Sequence, residues 1–357
     1  MKEQPKSVRL VQNGYFYSML LVLLIAILIS AVYSVSIGQV SIPFSQSMDI
    51  MLHSILGGNV DHVQNESYLN IIMQVRMPRV VFAFLVGIGL ALCGVVMQAV
   101  VQNPLADPYI LGISSGATLG ATFAILVGFG SSAILSQFGV AFGAFAGAII
   151  TSFAVFIMAS VGGKVTSIKL VLSGVVIGAL CGSFSSLVIF FAHNADGLQA
   201  VTFWTMGSLA SANWSKVPIM AIVVLSGSVI FLFQHRILNT MLLGDEAATT
   251  LGINLSLFRK IYLVLTALVT GTLVSYTGMI GFVGLVVPHI TRGFFGSDHK
   301  RLLPATLLVG GLFMIWSDIL SRVLIHNVEL PIGIITAVIG SPIFIYIILK
   351  KGYNFGG

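Results

Sequence analysis

Charge is what this chain has least of. Asp, Glu, Lys and Arg make up 8% of the 357 residues and only eleven are acidic, against about 25% in an ordinary soluble domain. Cysteine is nearly absent too. Cys93 and Cys181 both sit in apolar stretches, which excludes a disulfide framework or a thiolate metal site and leaves them as small buried hydrophobes. The seven histidines include no pair four apart and have no cysteine partners, so they offer no metal-ligand spacing. A phosphate-binding loop is also missing. Its nearest approach, Gly162-Gly163-Lys164-Val165, lacks both the upstream Gly and the following Ser or Thr, so the chain has no ATPase site of that kind. Serines are many, but none reads as an activated nucleophile, and an intramembrane enzyme is the least supported class. Ion coupling needs ionisable groups deep in the spans. Here the acids lie in loops or at span ends, with Asp318 the marginal exception, so an ion-coupled secondary carrier stands only as the alternative class.

What fills the chain is apolar. Hydrophobic residues make up 57% and the mean hydropathy is +1.04, so the fold class is an all-α polytopic membrane protein. Apolar runs of about 20 residues are long enough to span. Ten are expected, near 16–35, 80–101, 110–129, 139–161, 168–192, 216–234, 258–277, 279–295, 303–321 and 331–349. The first is read as a retained span and not a cleaved signal peptide, behind a basic segment 1–15. The stretch from Ile261 to Ile290 is one run of 30 residues. One crossing would put Arg292, Lys300 and Arg301 opposite the basic loops around Arg236 and Arg259, so two crossings are expected, with the turn near Gly278, Gly281, Gly284 and Pro288. With a cytoplasmic N-terminus, thirteen of the seventeen Lys and Arg face the cytoplasm, and four, Arg76, Arg79, Lys216 and Arg322, face outward. The net charge of +6 therefore reads as topology, with membrane lipid as a partner and nucleic acid excluded. Both termini, including a tail 350–357, are expected in the cytoplasm, and the chain is read as one transmembrane domain, 1–357.

Three successive spans carry glycines spaced by four: Gly112, Gly116 and Gly120; Gly139, Gly143 and Gly147; Gly174, Gly178 and Gly182. Each set keeps one helix face bare, which lets backbones approach where lipid removes the hydrophobic drive. Between two apolar blocks lies the polar stretch Leu243-Gly244-Asp245-Glu246-Ala247-Ala248-Thr249-Thr250-Leu251-Gly252-Ile253. Asp245 suits a helix N-cap, Glu246 suits the first turn, and Gly252 suits the left-handed stop. A helix this short needs a docking surface, which a cytosolic partner would supply. A connecting turn on the membrane surface carries the same signals.

Arg76-Met77-Pro78-Arg79, Gly94-Val95-Val96-Met97-Gln98, Asn103-Pro104-Leu105-Ala106-Asp107-Pro108 and Leu111-Gly112 resemble the permeases of the FecCD-type, BtuC-like family. These import iron-siderophore complexes, haem and cobalamin with an ATP-binding cassette. The likeness continues through Gly281 to Ile290 with Arg292, Asp298-His299-Lys300-Arg301, Glu329-Leu330-Pro331-Ile332-Gly333 and Gly340-Ser341-Pro342-Ile343-Phe344, covering roughly residues 70 to 350. It implies a type II ABC importer permease fold of ten spans, partnered by a second permease copy or paralogue, two ATP-binding cassette ATPase subunits that use the ATP, and an extracytoplasmic substrate-binding protein. Leu243, Gly244, Asp245, Glu246, Ala247, Ala248, Leu251 and Gly252 look like the family's coupling helix. Arg76, Arg79 and Arg322 look like its contacts for acidic residues of the binding protein, although arginines snorkelling at helix ends would look the same. Thr166 and Ser167 align loosely with its cytoplasmic gate, where Ile168 departs from the pattern. Cargo contacts near Phe190, Phe191, Trp204 and Met206 are open. Asn103, Pro104 and Asp107 are expected to shape a turn, and Pro288 and His289 to end span eight. The implied location is a bacterial cytoplasmic membrane. The implied cargo is a ferric siderophore, with haem or cobalamin as alternative.

Overall fold

A computed structural model of the chain describes residues 6–56, 66–128, 133–163 and 165–350. Lys2, Lys164 and the expected tail beyond residue 350 lie outside the described residues, as does the side chain of Asp245.

The described residues are almost wholly helical, with one isolated bridge between Ile325 and Val328 in place of any strand. In chain order the helices are α1 (Lys6–Ser36), α2 (Phe44–Leu56) and α3 (Glu66–Asn70), which runs through a π-helical turn (Ile71–Arg76) into α4 (Met77–Val101). After a 3-10 turn (Pro108–Leu111) come α5 (Ile113–Leu126), α6 (Ala133–Ser160), α7 (Ser167–Phe191), α8 (Ala195–Met206), α9 (Val217–Phe233), α10 (His235–Leu242) and α11 (Asp245–Thr250). The last four are α12 (Leu255–Thr277), α13 (Val283–Phe295), α14 (His299–Val323) and α15 (Ile332–Lys350).

Each of the ten expected spans holds one apolar helix. Six are long and apolar enough to cross alone, α9 and α10 form a seventh bent by 64°, and α5, α13 and α15 are shorter. The run from Ile261 to Ile290 is two helices, as the charge argument required. Its break lies at residues 278–282, where Gly278 (φ +68°) and Phe282 (φ +69°) are left-handed. Gly284 and Pro288 do not form the turn. Both lie inside α13, which continues to Phe295, so Pro288 and His289 do not end that span. Pro288 has no amide to give the carbonyl of Gly284 four residues earlier. Gln98 Nε2 of α4 supplies the missing donor at 3.4 Å, while its Oε1 accepts from Arg292 at 2.9 Å.

α4 is the central post. In its apolar window 89% of residues are buried, against 17% for α7, and it packs against α9, α12, α13 and α14. Close approach explains its glycines: a side chain at Gly87 would strike the backbone of Gly310, and one at Gly94 the carbonyl of Gly284. The four-spaced glycines act likewise between α5 and α6, where Gly116 and Gly120 face Gly147 and Gly143, and Gly174 abuts the carbonyl of Ile110. Gly139 and Gly182, by contrast, have nothing within 4 Å. The bare faces thus serve packing at most of these positions and open space at two.

Candidate functional site

One end of the bundle gathers the polar stretch 243–253. α10 packs on the ends of α4 and α14 through buried Leu238 and Met241. Polar bonds fix it there: Gln102 Nε2 donates to the carbonyl of Met241 at 2.7 Å, Asn239 Nδ2 to Asp298 Oδ1 at 2.7 Å, and the amide of His299 to Asn239 Oδ1 at 2.9 Å. Partial burial alone would raise the Asp298 carboxyl, but the donors Asn239 and the Lys300 amide outweigh it and hold the group below the usual carboxylate range. α10 escaped the sequence reading because its eight residues are too few and too mixed for a span; buried Leu238 and Met241, three apart, were the available signal.

The helix proper is Asp245–Thr250, shorter than the stretch 243–253. Leu243 follows the last turn of α10, and Gly244 (φ +92°) closes it by donating to Met241. Gly252 (φ +74°) follows α11, and Asn254 Oδ1 then caps α12 by accepting from Leu257 at 3.2 Å. Within α11 the side chains divide. Ala248 is fully buried in the core, Ala247 is half-buried, and Glu246 is exposed. Leu243 and Leu251 are 64% and 61% exposed on either side. The arrangement is a short rod, held by one alanine and jointed at two glycines, presenting a carboxylate between two leucines.

The opposite end, where α4 begins, holds the arginines. All three are buried: Arg76, Arg79 and Arg322 are 4%, 7% and 6% exposed. A buried guanidinium must be saturated internally. Arg79 Nε donates to Asp318 Oδ1 at 2.8 Å, and its Nη1 and Nη2 form a two-pronged pair with Glu329 at 3.0 and 2.8 Å. Arg322 pairs with the other Asp318 oxygen at 3.0 Å. Arg322 also donates to the carbonyls of Ser34 and Ile37 at 3.1 and 2.7 Å, and Arg76 to those of Val35, Ser36 and Val40. The last turn of α1 has no basic residue of its own, so two distant guanidinium groups satisfy the carbonyls a helix end leaves free. Asp318, fully buried, is the shared counter-ion of this cluster.

Thr166 caps α7, its hydroxyl accepting from the Lys169 amide at 3.4 Å, with Ser167 beside it half-buried. Ile168 next to them is 71% exposed. Asn103 and Asp107 shape their turn as expected, accepting from the amides of Leu105 and Tyr109, each at 2.9 Å. Burial pushes the Asp107 carboxyl up to about 6, against the lowering effect of the Tyr109 amide.

The break between α12 and α13 opens onto a cavity of about 460 Å³. Its walls include Tyr109, Thr205, Met206, Met279, Phe282 and Val338, with the Tyr109 phenol the one titratable group among its lining residues. Non-helical backbone at membrane depth is tolerated where it is shielded by protein or lines a cavity, and this break does both. Backbone bonds knot it to its neighbours: the Ser208 amide donates to Thr277 at 2.8 Å and the Ile332 amide to Gly207 at 3.1 Å. Of the four side chains considered for cargo, Met206 lines this cavity. Trp204 lines a second one of about 640 Å³ beside Lys216 and Tyr276, and Phe190 and Phe191 are exposed. Ser114, on the cavity wall, lies in Gly112-Ile113-Ser114-Ser115-Gly116, a G-x-S-x-G spacing. That motif's chemistry needs a strand before the turn, and here a 3-10 turn leads into α5.

Comparison with known proteins adds to this geometry. The family model of the FecCD transport family matches residues 23–350. A probable iron chelatin transport system permease protein of Helicobacter pylori is 37% identical over 328 residues, covering 91% of this chain and 96% of its own. The molybdate import system permease protein MolB of Haemophilus influenzae is 33% identical over 335 residues, covering 93% and 96%. Among solved structures, an inward-facing metal-chelate type ABC transporter superposes with a TM-score of 0.78 at 32% identity, covering 94% of this chain and 99% of that one.

Proposed function

We propose, from the premise that the chain belongs to the FecCD transport family and is an ABC importer permease, that it carries iron-siderophore complexes across a bacterial cytoplasmic membrane. A separate pair of ATPase subunits drives it, a second permease subunit completes the pathway, and an extracytoplasmic binding protein delivers the cargo. The chain holds the α11 end and both termini in the cytoplasm, as its basic residues favour.

The observation that carries this reading is the pose of α11. A rod with Ala248 buried, and Leu243, Glu246 and Leu251 exposed, fits a partner's groove: the leucines enter apolar pockets and the carboxylate meets a basic rim. A push on α11 passes into α10 and from there, through Gln102 and Asn239, into α4 and α14. Those two helices carry the movement to the other end of the bundle. Nucleotide binding by the partner thus biases a two-state change in a close-packed body. Thr166 and Ser167, at the head of α7, form the cytoplasmic gate. Arg76, Arg79 and Arg322 take part in docking the binding protein.

For the cargo, the cavity at the α12–α13 break supports an organic chelate. Methionine, phenyl and aliphatic groups suit a ligand that hides its metal inside a carbon-rich shell, whereas an oxyanion needs a convergent set of donors, and the lining side chains carry three hydroxyls, on Tyr109, Ser114 and Thr205. Haem or cobalamin would suit similar walls and is the alternative. The test is reconstitution in proteoliposomes with the cognate ATPase and binding protein. ATP-dependent uptake of a ferric siderophore, above that of haem, cobalamin and molybdate, is expected; uptake without the ATPase, or preference for molybdate, rejects the assignment.

A further inference from the structure

Arg79 is held by two carboxylates of different standing. Asp318 is fully buried and shared with Arg322, so it has no route to solvent and a second cation to keep it. Glu329 lies in the connection between α14 and α15, its side chain is 29% exposed, and it covers both terminal nitrogens of the guanidinium. With Arg79 itself at 7% exposure, an approaching group meets the Glu329 carboxylate before it can meet the arginine.

We propose that Glu329 is a displaceable occupant of Arg79, and that a carboxylate on the docking face of the extracytoplasmic binding protein takes its place. This rests on the docking role given to Arg79 above. The exchange swaps one two-pronged pair for another of the same geometry, so the charge of the buried cluster is unchanged and Arg79 is never left bare. Asp318 keeps its grip on Nε throughout, holding the guanidinium plane in place for the incoming group.

The displaced residue has a short path to the cavity. Leu330, next in the chain, donates its amide to Ser321 at 2.9 Å. Ile332 begins α15 and is bonded to Gly207, and Gly333 packs against the carbonyls of Met206 and Met279 at the cavity wall. Release of Glu329 frees the segment that seats the first turn of α15. Docking and loosening of the cavity wall thereby become one event, with differential affinity for the released state as its driving force.

The experiment uses the assembled transporter in nanodiscs, with binding-protein affinity measured for the natural chain, Glu329→Gln and Arg79→Ala. The exchange predicts that Glu329→Gln, which keeps the shape but weakens the competitor, tightens binding about tenfold, and that Arg79→Ala weakens it. A probe on Val328→Cys provides a second readout, since Val328 is 50% exposed and Cys93 and Cys181 are buried. Its signal should change when the binding protein docks, and Glu329→Gln should reproduce that change without the partner. If Arg79→Ala weakens docking but Glu329→Gln neither tightens it nor moves the probe, the exchange is wrong and the docking role stands. If well-folded Arg79→Ala binds as tightly as the natural chain, the docking role fails and the exchange with it.

Discussion

Gln98 Nε2 lies 3.4 Å from the carbonyl of Gly284, the one carbonyl of α13 that Pro288 leaves without an amide. A side chain of the central helix thus completes the hydrogen bonding of a broken span. Gln98→Leu should lower the melting temperature in detergent, costing about 1–3 kcal/mol for the orphaned carbonyl. Adding Pro288→Ala to that variant, which restores the amide, should recover part of the loss. Equal melting temperatures for the single variant and the natural chain would refute the pairing.

Ala248 donates its amide to Gly244 at 3.2 Å inside a six-residue helix. Ala248→Pro removes that bond and crowds the preceding turn, at a cost of about 3 kcal/mol in a helix with little to spare. The expected outcome is normal abundance in the membrane with transport abolished and hydrolysis no longer stimulated by cargo. Membrane abundance, uptake and ATPase rate measured together decide it, and normal uptake would remove α11 from the drive train.

The four-spaced glycines make a matched comparison. Gly120→Ala places a methyl against the backbone of Gly143, while Gly182→Ala meets nothing within 4 Å. The first should destabilise by about 1–3 kcal/mol through overpacking, and the second by far less. Thermal unfolding of the isolated chain in detergent distinguishes them.

Asp107 gives a pH dependence of definite sign. Burial raises its carboxyl to about 6 in the folded chain, from an ordinary value of 3.8, so the folded state binds the extra proton between those values. Stability from this group is therefore full below about pH 4, falls as the pH rises through about 6, and stays low above. Melting temperature should rise as the pH drops from 7 to 5. Asp107→Asn, which can still accept from the Tyr109 amide, should flatten that part of the profile.

The apolar helices were readable in the sequence because each lies in a long apolar run, and the split of 261–290 followed from the charges on either side. α2, α8 and α10 were missed because each is at most 13 residues, too short to stand out from a loop by length. The arginines lie at the helix ends where the sequence put them, but their burial and their ion pairs were not legible there. The partners of Arg79 lie 239 and 250 residues distant, beyond the reach of any local pattern. Two carboxylates, Asp318 and Glu329, at the same end as Arg79 and Arg322 were the available signal for the pairing. The cavity was not legible, because it depends on the end of α8, the break between α12 and α13 and the start of α15 meeting in space.

The capping of α1 also has a consequence for how the chain is made. The carbonyl of Ser34 receives a donor from Arg322, 288 residues later in the order of synthesis. α1, made well before α14, thus gains this fastening late, and until then its end has Arg76 and its packing on α2 and α4. Chains interrupted before residue 322 should enter the bilayer with that helix still loose, an early target for membrane proteases that clear unfinished products.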